Sequence, residues 1–225
     1  MKEHKPGEIK VYSINNPLVF TVDNMMPDEM ITKFLNDIEK SPDPWKKAKV
    51  VDAEDPGGGG KEDYRRTNEH KSLHYSNSGA GQMFLAWASD IARVHPSQAE
   101  PLQVIKYSLG QEYAAHSDVF TPESLLKNVP QAGNRIMTAL LYLTDVTEGG
   151  GTAFPNLDIE IQPKRGRCVF FSTTHQGTEK PIDLANHHAC PVIRGEKIAV
   201  NLWFRSGIYD NNLYSEMVEK GNKLV

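Results

Sequence analysis

The helical period of this chain stops near residue 94, and everything after it is written in the period of a strand. Leu102–Leu109, Arg135–Thr144, Leu157–Ile161, Arg167–Ser172 and Glu196–Arg205 are strand-like runs separated by turn-forming segments. Strands in series after helices predict an antiparallel sandwich or barrel with the helices packed on one side. The helical part precedes them. Pro27 opens one helix with Asp28 and Glu29 in its first turn, and Met30, Ile31, Phe34, Leu35 and Ile38 recur at helical spacing until Ser41-Pro42-Asp43-Pro44. Gly79–Val94 predicts a second, with Met83, Phe84, Trp87, Ile91 and Val94 on a core-facing stripe. Ile9–Ile14 and Leu18–Val22 read as two strands around the Asn15-Asn16-Pro17 turn, and Lys47–Asp52 as a third. A length of 225 residues suits one β-rich domain with a sizeable core.

Composition narrows the partners. A net charge of -4 with no basic stripe argues against nucleic acid. Residues 1–7 lack the apolar run of a signal peptide and no segment is long enough to span a bilayer, so the expectation is a soluble, cytoplasmic protein with no membrane partner. Cys168 and Cys190 sit in apolar, strand-like surroundings and read as buried thiols rather than a disulfide. Gly57 to Gly60 form a run that cannot pack, either a surface linker or a lid over a site.

The chemistry gathers around Tyr107 to Asp118, which ends in His116-Ser117-Asp118. On an extended strand side chains alternate, so His116 and Asp118 point the same way. With a second histidine they would form a facial triad for Fe(II), leaving positions open for substrate and O2. His175, His187 and His188 are the candidates. His175 lies in a polar turn, a poor platform for a rigid ligand, whereas His187 and His188 enter a strand-like stretch. In the last strand Lys197, Ala199, Asn201 and Trp203 share one face, and Ile198, Val200, Leu202 and Phe204 the other. Pattern alone favours Lys197 as an exposed strand-end lysine; the functional alternative puts its ammonium in a polar pocket.

Four stretches together resemble the prolyl 4-hydroxylase family of Fe(II)/2-oxoglutarate dioxygenases: Gln103 to Tyr107 with His116-Ser117-Asp118, Asn134-Arg135 with Tyr142-Leu143-Thr144, Glu148 to Pro155, and His187 to Val192 with Gly195-Glu196-Lys197 and Trp203. The resemblance implies a mainly β protein with flanking helices and a double-stranded β-helix (jelly-roll, cupin-like) core. Residues 1–225 would form one oxygenase domain, with helical support over about 23–95 and the core over about 101–206. It implies iron ligands His116, Asp118 and His187. Lys197 would bind the distal carboxylate of 2-oxoglutarate, Tyr107 and Thr152 would hydrogen-bond it, and Trp203 would line the co-substrate pocket. Fe(II), 2-oxoglutarate, O2 and ascorbate are the implied cofactors, and C4 of proline in a peptide or protein is the implied target. Tyr113 and Arg135 match peptide-facing positions, and Arg205, which stands where related enzymes carry the histidine of Trp-x-His, is the third expected substrate contact. An unbroken strand would turn Tyr113 away from His116, so the assignment needs a β-bulge, expected near Gln111. Residues 52–64 and 120–133 match two mobile loops that close over peptide. The competing readings are hydroxylation of free proline or another side chain, and a metal-binding jelly roll without catalysis.

Overall fold

The computed structural model describes residues 7–49 and 64–213. In chain order the elements are β1 (Ile9–Ser13), β2 (Val19–Val22), α1 (Asp28–Lys40), β3 (Lys46–Lys47), β4 (Glu69–Leu73), α2 (Gly79–Ala92), β5 (Leu102–Tyr107) and β6 (Tyr113–His116). They continue with α3 (Pro122–Lys127), β7 (Arg135–Tyr142), β8 (Glu148–Gly149), β9 (Thr152–Phe154), β10 (Ile159–Ile161), β11 (Cys168–Ser172), β12 (His187–Ala189), β13 (Val192–Arg194) and β14 (Lys197–Arg205).

A large sheet runs in the order β1-β2-β11-β7-β14-β5-β4-β3, a smaller one in the order β10-β9-β12-β6, and β13 pairs with β8. The pairings are antiparallel. Strand alternation divides the interior in two. Val200, Leu202 and Phe204 of β14 pack with Phe34 of α1 and Phe84 of α2 on the helical side. Ala199 lies in a second core with Tyr107, Tyr142, Phe154, Val169 and Phe171, between the two sheets. Each fully buried Phe, Leu or Val contributes roughly 1.5–3 kcal/mol relative to exposure. This two-sheet arrangement is the expected double-stranded β-helix, with its helices on one face of the large sheet.

Several elements depart from their sequence signals for local reasons. β4 reads as polar because its central Lys71 is buried with its ammonium donating to the Ile38 carbonyl at 2.8 Å, which satisfies the C-terminal turn of α1. α3 falls inside the expected 120–133 loop. Thr121 caps it by accepting the Ser124 N–H at 3.2 Å, and Pro122 occupies its first turn, but six residues are too few for a period to show. The expected strand Leu157–Ile161 begins only at Ile159, after a 3-10 turn over Pro155–Leu157. Only Lys46–Lys47 pair in β3; residues 50–52 of that expected strand, and residues 57–60, lie outside the described residues. Cys168 is buried and Cys190 half-buried, both as free thiols, and burial raises the pKa of each. Among the described residues no helix is long and apolar enough to cross a membrane.

The Glu148 to Gly151 turn is set by backbone rather than side chains. Gly149 has φ +76°, and a Cβ there would overlap the Pro191 carbonyl oxygen and lie 2.9 Å from the Ile193 nitrogen. Gly149→Ala is therefore expected to destabilise the protein by roughly 2–5 kcal/mol, from left-handed strain plus a clash with fixed backbone. Urea unfolding checks this; an unchanged midpoint would mean that β8 and β13 separate at little cost.

Candidate metal and co-substrate site

Two paired strands bring the ligand-type side chains together. His116 ends β6, Asp118 follows it, and His187 opens β12 directly across from His116. His116 Nε2 lies 3.8 Å from Asp118 Oδ1, and His187 Nε2 lies 3.8 Å from Asp118 Oδ2. The three ligand atoms fall within 4.8 Å of one another. Each ring is oriented from behind: Nδ1 of His116 faces the Ala114 carbonyl at 2.9 Å, and Nδ1 of His187 the Ala185 carbonyl at 3.1 Å. A carbonyl only accepts, so both Nδ1 atoms carry the proton and both Nε2 atoms present lone pairs to the centre. Thr138 donates its hydroxyl to Asp118 Oδ2 at 2.7 Å.

The electrostatics suit a cation. Burial and the neighbouring His187 hold His116 well below the ordinary imidazole range, so it is neutral. Burial works against the Asp118 charge, but His187, His116, Arg135 and the Thr138 hydroxyl outweigh it and hold its pKa below the ordinary carboxylate value. Two imidazole nitrogens and one carboxylate on one side of a point are a donor set that fits Fe(II) with open positions. His188, the neighbour of His187, pairs with Ala153 of β9 and by alternation faces away from this point. His175 sits in the turn after β11, outside the cluster.

A cavity of about 380 Å³ extends from these ligands to Lys197, Asn201 and Trp203 of β14. Lys197 is only 1% exposed, which overturns the exposed strand-end reading. Among the described residues its ammonium has no hydrogen-bond partner, and it lies 5.0 Å and 5.4 Å from the ring centroids of Tyr107 and Tyr142. Burial lowers its pKa to about 7. The indole N–H of Trp203 is a second buried donor without a partner, on the same strand face. Two orphaned donors on one wall are what an anionic ligand would satisfy, since a buried ammonium without a partner is costly. Tyr107 is the cross-strand neighbour of Lys197, and Thr152 also lines the cavity. The Thr152 hydroxyl is fixed by a 2.6 Å hydrogen bond with Tyr142 Oη, a positioning contact the motifs did not flag.

Residues 102–205 match the model of the 2OG-Fe(II) oxygenase superfamily. Over 136 residues the chain is 35% identical to prolyl 4-hydroxylase 2 of Arabidopsis thaliana, covering 51% of this chain and 44% of that protein. Over 120 residues it is 37% identical to human prolyl 4-hydroxylase subunit alpha-1, covering 51% of this chain and 21% of that subunit. Over these stretches the chain is similar to the 2OG-Fe(II) oxygenase superfamily and, within it, to prolyl 4-hydroxylases. It spans less than half the length of those two curated relatives. The same fold occurs in the viral collagen prolyl hydroxylase of Paramecium bursaria Chlorella virus-1, solved as its 2OG complex, with 24% identity, a TM-score of 0.64 and coverage of 83% of this chain and 95% of that one. It also occurs in a prolyl hydroxylase of Trichoplax adhaerens, solved with a hypoxia inducible factor oxygen degradation domain peptide fragment, at 15% identity and a TM-score of 0.60, covering 83% of each chain.

The positions expected from the resemblance to face a peptide meet different fates here. Tyr113 lines the cavity and stacks on the His116 ring, with centroids 3.7 Å apart and planes 16° apart, and the Arg66 guanidinium covers its other side at 4.5 Å. The required bulge exists, but at Ala114–Ala115 rather than near Gln111. Tyr113 pairs with Ala189 and His116 with His187, three steps on β6 against two on β12, which returns Tyr113 to the face of His116. Arg135 also lines the cavity; its guanidinium lies 3.6 Å from the Trp203 ring centroid and 4.5 Å from that of Phe120. Arg205 does not reach the cavity, contrary to the expectation of a substrate contact. Arg205 pairs with Arg135 across a register shift whose extra residue, Ile136, lies on β7, so β14 keeps its own alternation there. Its donors go instead to Glu100, Gly133, Asn128 and Val129.

Proposed function

We propose that this chain is a 2-oxoglutarate-dependent dioxygenase that hydroxylates peptidyl proline at C4. In this reading His116, Asp118 and His187 hold Fe(II), Lys197, Tyr107, Thr152 and Trp203 hold 2-oxoglutarate, and ascorbate serves as the reductant. The observation that carries it is the buried, unpartnered Lys197 ammonium sharing one cavity with the His116, Asp118 and His187 cluster. A metal-binding jelly roll without catalysis has no use for that cation. Iron bound there supplies the coupled chemistry, in which 2-oxoglutarate and O2 give succinate and CO2 as one oxygen enters a C–H bond.

The residues divide the work. Lys197 matches the distal carboxylate of 2-oxoglutarate with a charge-assisted hydrogen bond, and the Tyr107 and Thr152 hydroxyls complete its surroundings. The Ala114 and Ala185 carbonyls keep the imidazoles in the metal-binding tautomer. Tyr113, Arg135 and Phe120 line the other end, where a flat ring and a guanidinium suit the proline ring and peptide carbonyls. The peptide carried by the Trichoplax enzyme supports a peptide over free proline, which lacks flanking backbone for these groups to grip.

The test offers proline-rich peptides and free proline in parallel, follows succinate, and identifies the hydroxyproline isomer. The expected result is 4-hydroxyproline in peptide only. Turnover of free proline alone would reject the peptide reading, and metal-dependent succinate with no oxidised proline would reject proline as the target.

A further inference from the structure

Phe120, Thr121, Ser124 and Asn128 line the cavity, yet the segment that carries them contains only one short helix. It is fastened from behind by groups that do not touch the cavity. Glu100 is buried at the entry to β5, its backbone N–H donating to the Trp203 carbonyl at 2.9 Å. Its Oε1 accepts from Arg135 Nε at 2.7 Å and from Arg205 Nη1 at 2.9 Å, and its Oε2 accepts from Arg135 Nη2 at 2.8 Å. Arg205, 1% exposed, then donates Nε to the Gly133 carbonyl at 2.7 Å and Nη2 to those of Asn128 at 2.8 Å and Val129 at 3.2 Å. Val129 has φ +53°, a left-handed conformation that a β-branched side chain resists, so the carbonyl Arg205 grips belongs to a strained residue that needs holding. Both guanidiniums also lie over the Phe120 ring, Arg135 at 4.5 Å and Arg205 at 5.1 Å from its centroid.

We propose that Glu100 and Arg205 are positioning residues for the substrate half of the pocket, deepening and resting on the function proposed above. Arg205 latches the 128–133 backbone to β14, and Glu100 joins that latch to Arg135 and aims Arg135 across Trp203 and Phe120. The planar guanidinium is required, because one ammonium cannot reach three carbonyls and a carboxylate at fixed angles. The wall that the family resemblance makes a mobile loop is therefore preorganised in this chain, and its shape selects what reaches the metal.

Glu100→Gln and Arg205→Lys are compared with the unaltered protein by amide hydrogen exchange, 2-oxoglutarate titration of the Mn(II)-loaded protein, and peptide kinetics. Arg205→Lys keeps the buried charge and guards against a variant that does not fold. The expected result is exchange at residues 121–132 faster by about tenfold or more, with β7 and β11 unchanged. Peptide KM should rise by roughly tenfold while 2-oxoglutarate affinity stays the same, a split that general destabilisation would not give. Unchanged exchange, or exchange that rises equally in β7 and β11, overturns the latch, and a loosened wall with unchanged peptide KM overturns the positioning role. If the unaltered protein turns over no peptide, the proposed substrate fails, and the exchange and titration results still decide whether the latch exists.

Discussion

His187→Ala is expected to abolish Fe(II) binding, while His188→Ala, one residue along the same strand, should keep it. The two imidazoles are adjacent in sequence, but β12 turns them to opposite faces, and only His187 Nε2 lies 3.8 Å from Asp118. Removing one of three protein ligands costs more than the 10- to 100-fold typical of losing a supporting hydrogen bond. Anaerobic Fe(II) titration reads the effect directly, and Mn(II) paramagnetic resonance provides a second probe. Thermal unfolding is a third, because a metal bound only to the folded chain raises its melting point and that increment should vanish with His187 alone. Equal losses in both variants, or a loss confined to His188, would mean that β12 is read in the wrong register.

Lys197→Ala is expected to weaken 2-oxoglutarate by an amount on the order of 2–5 kcal/mol, or roughly 30-fold to several thousand-fold, and to leave metal binding intact. The size follows from burial: with Lys197 1% exposed, water cannot replace the lost ammonium, and the ligand carboxylate is left unmatched. The same burial makes the interaction depend on pH. Lys197 titrates near 7 without ligand, and a bound carboxylate favours the ammonium, so its pKa rises on binding. Below pH 7 the lysine is already charged and binding moves no proton at this group. Above pH 7 binding must take up a proton, and affinity falls toward tenfold per pH unit. Calorimetric titration at pH 8 in buffers of different ionisation enthalpy measures that uptake, and Lys197→Met should eliminate it. Unchanged affinity in Lys197→Ala, or proton uptake persisting in Lys197→Met, rejects Lys197 as the anchor.

The alternation of Lys197, Ala199, Asn201 and Trp203 against Ile198, Val200, Leu202 and Phe204 is a property of the chain alone. Pleating carries it into the fold with one set facing the cavity side and the other the helices. The two main helices were legible for the same reason, since their apolar stripes repeat at the period of the backbone. Metal-type ligands were legible because His116 and Asp118 are local neighbours. The same period-2 logic on β7 would have found Thr138 and Tyr142, which share a face with Leu140 and support Asp118 and Thr152. Where side-chain partners lie far apart in sequence, the chain carried no such signal. Nothing in the sequence around Lys71 marks it as buried, because its acceptor, Ile38, is on another element. Lys197 read as exposed because burial is decided by what covers a residue and not by its own type. Tertiary pairing alone set the two breaks in alternation that decide the substrate half. A bulge at Ala114–Ala115, fixed by register against β12, returns Tyr113 to the metal side. An extra residue on β7, Ile136, sets Arg135 opposite Arg205, and both guanidiniums bond to Glu100. A strand's side-chain period is local, but its register is a sum over hydrogen bonds and packing with strands distant in sequence, so its breaks are settled only when the sheets assemble.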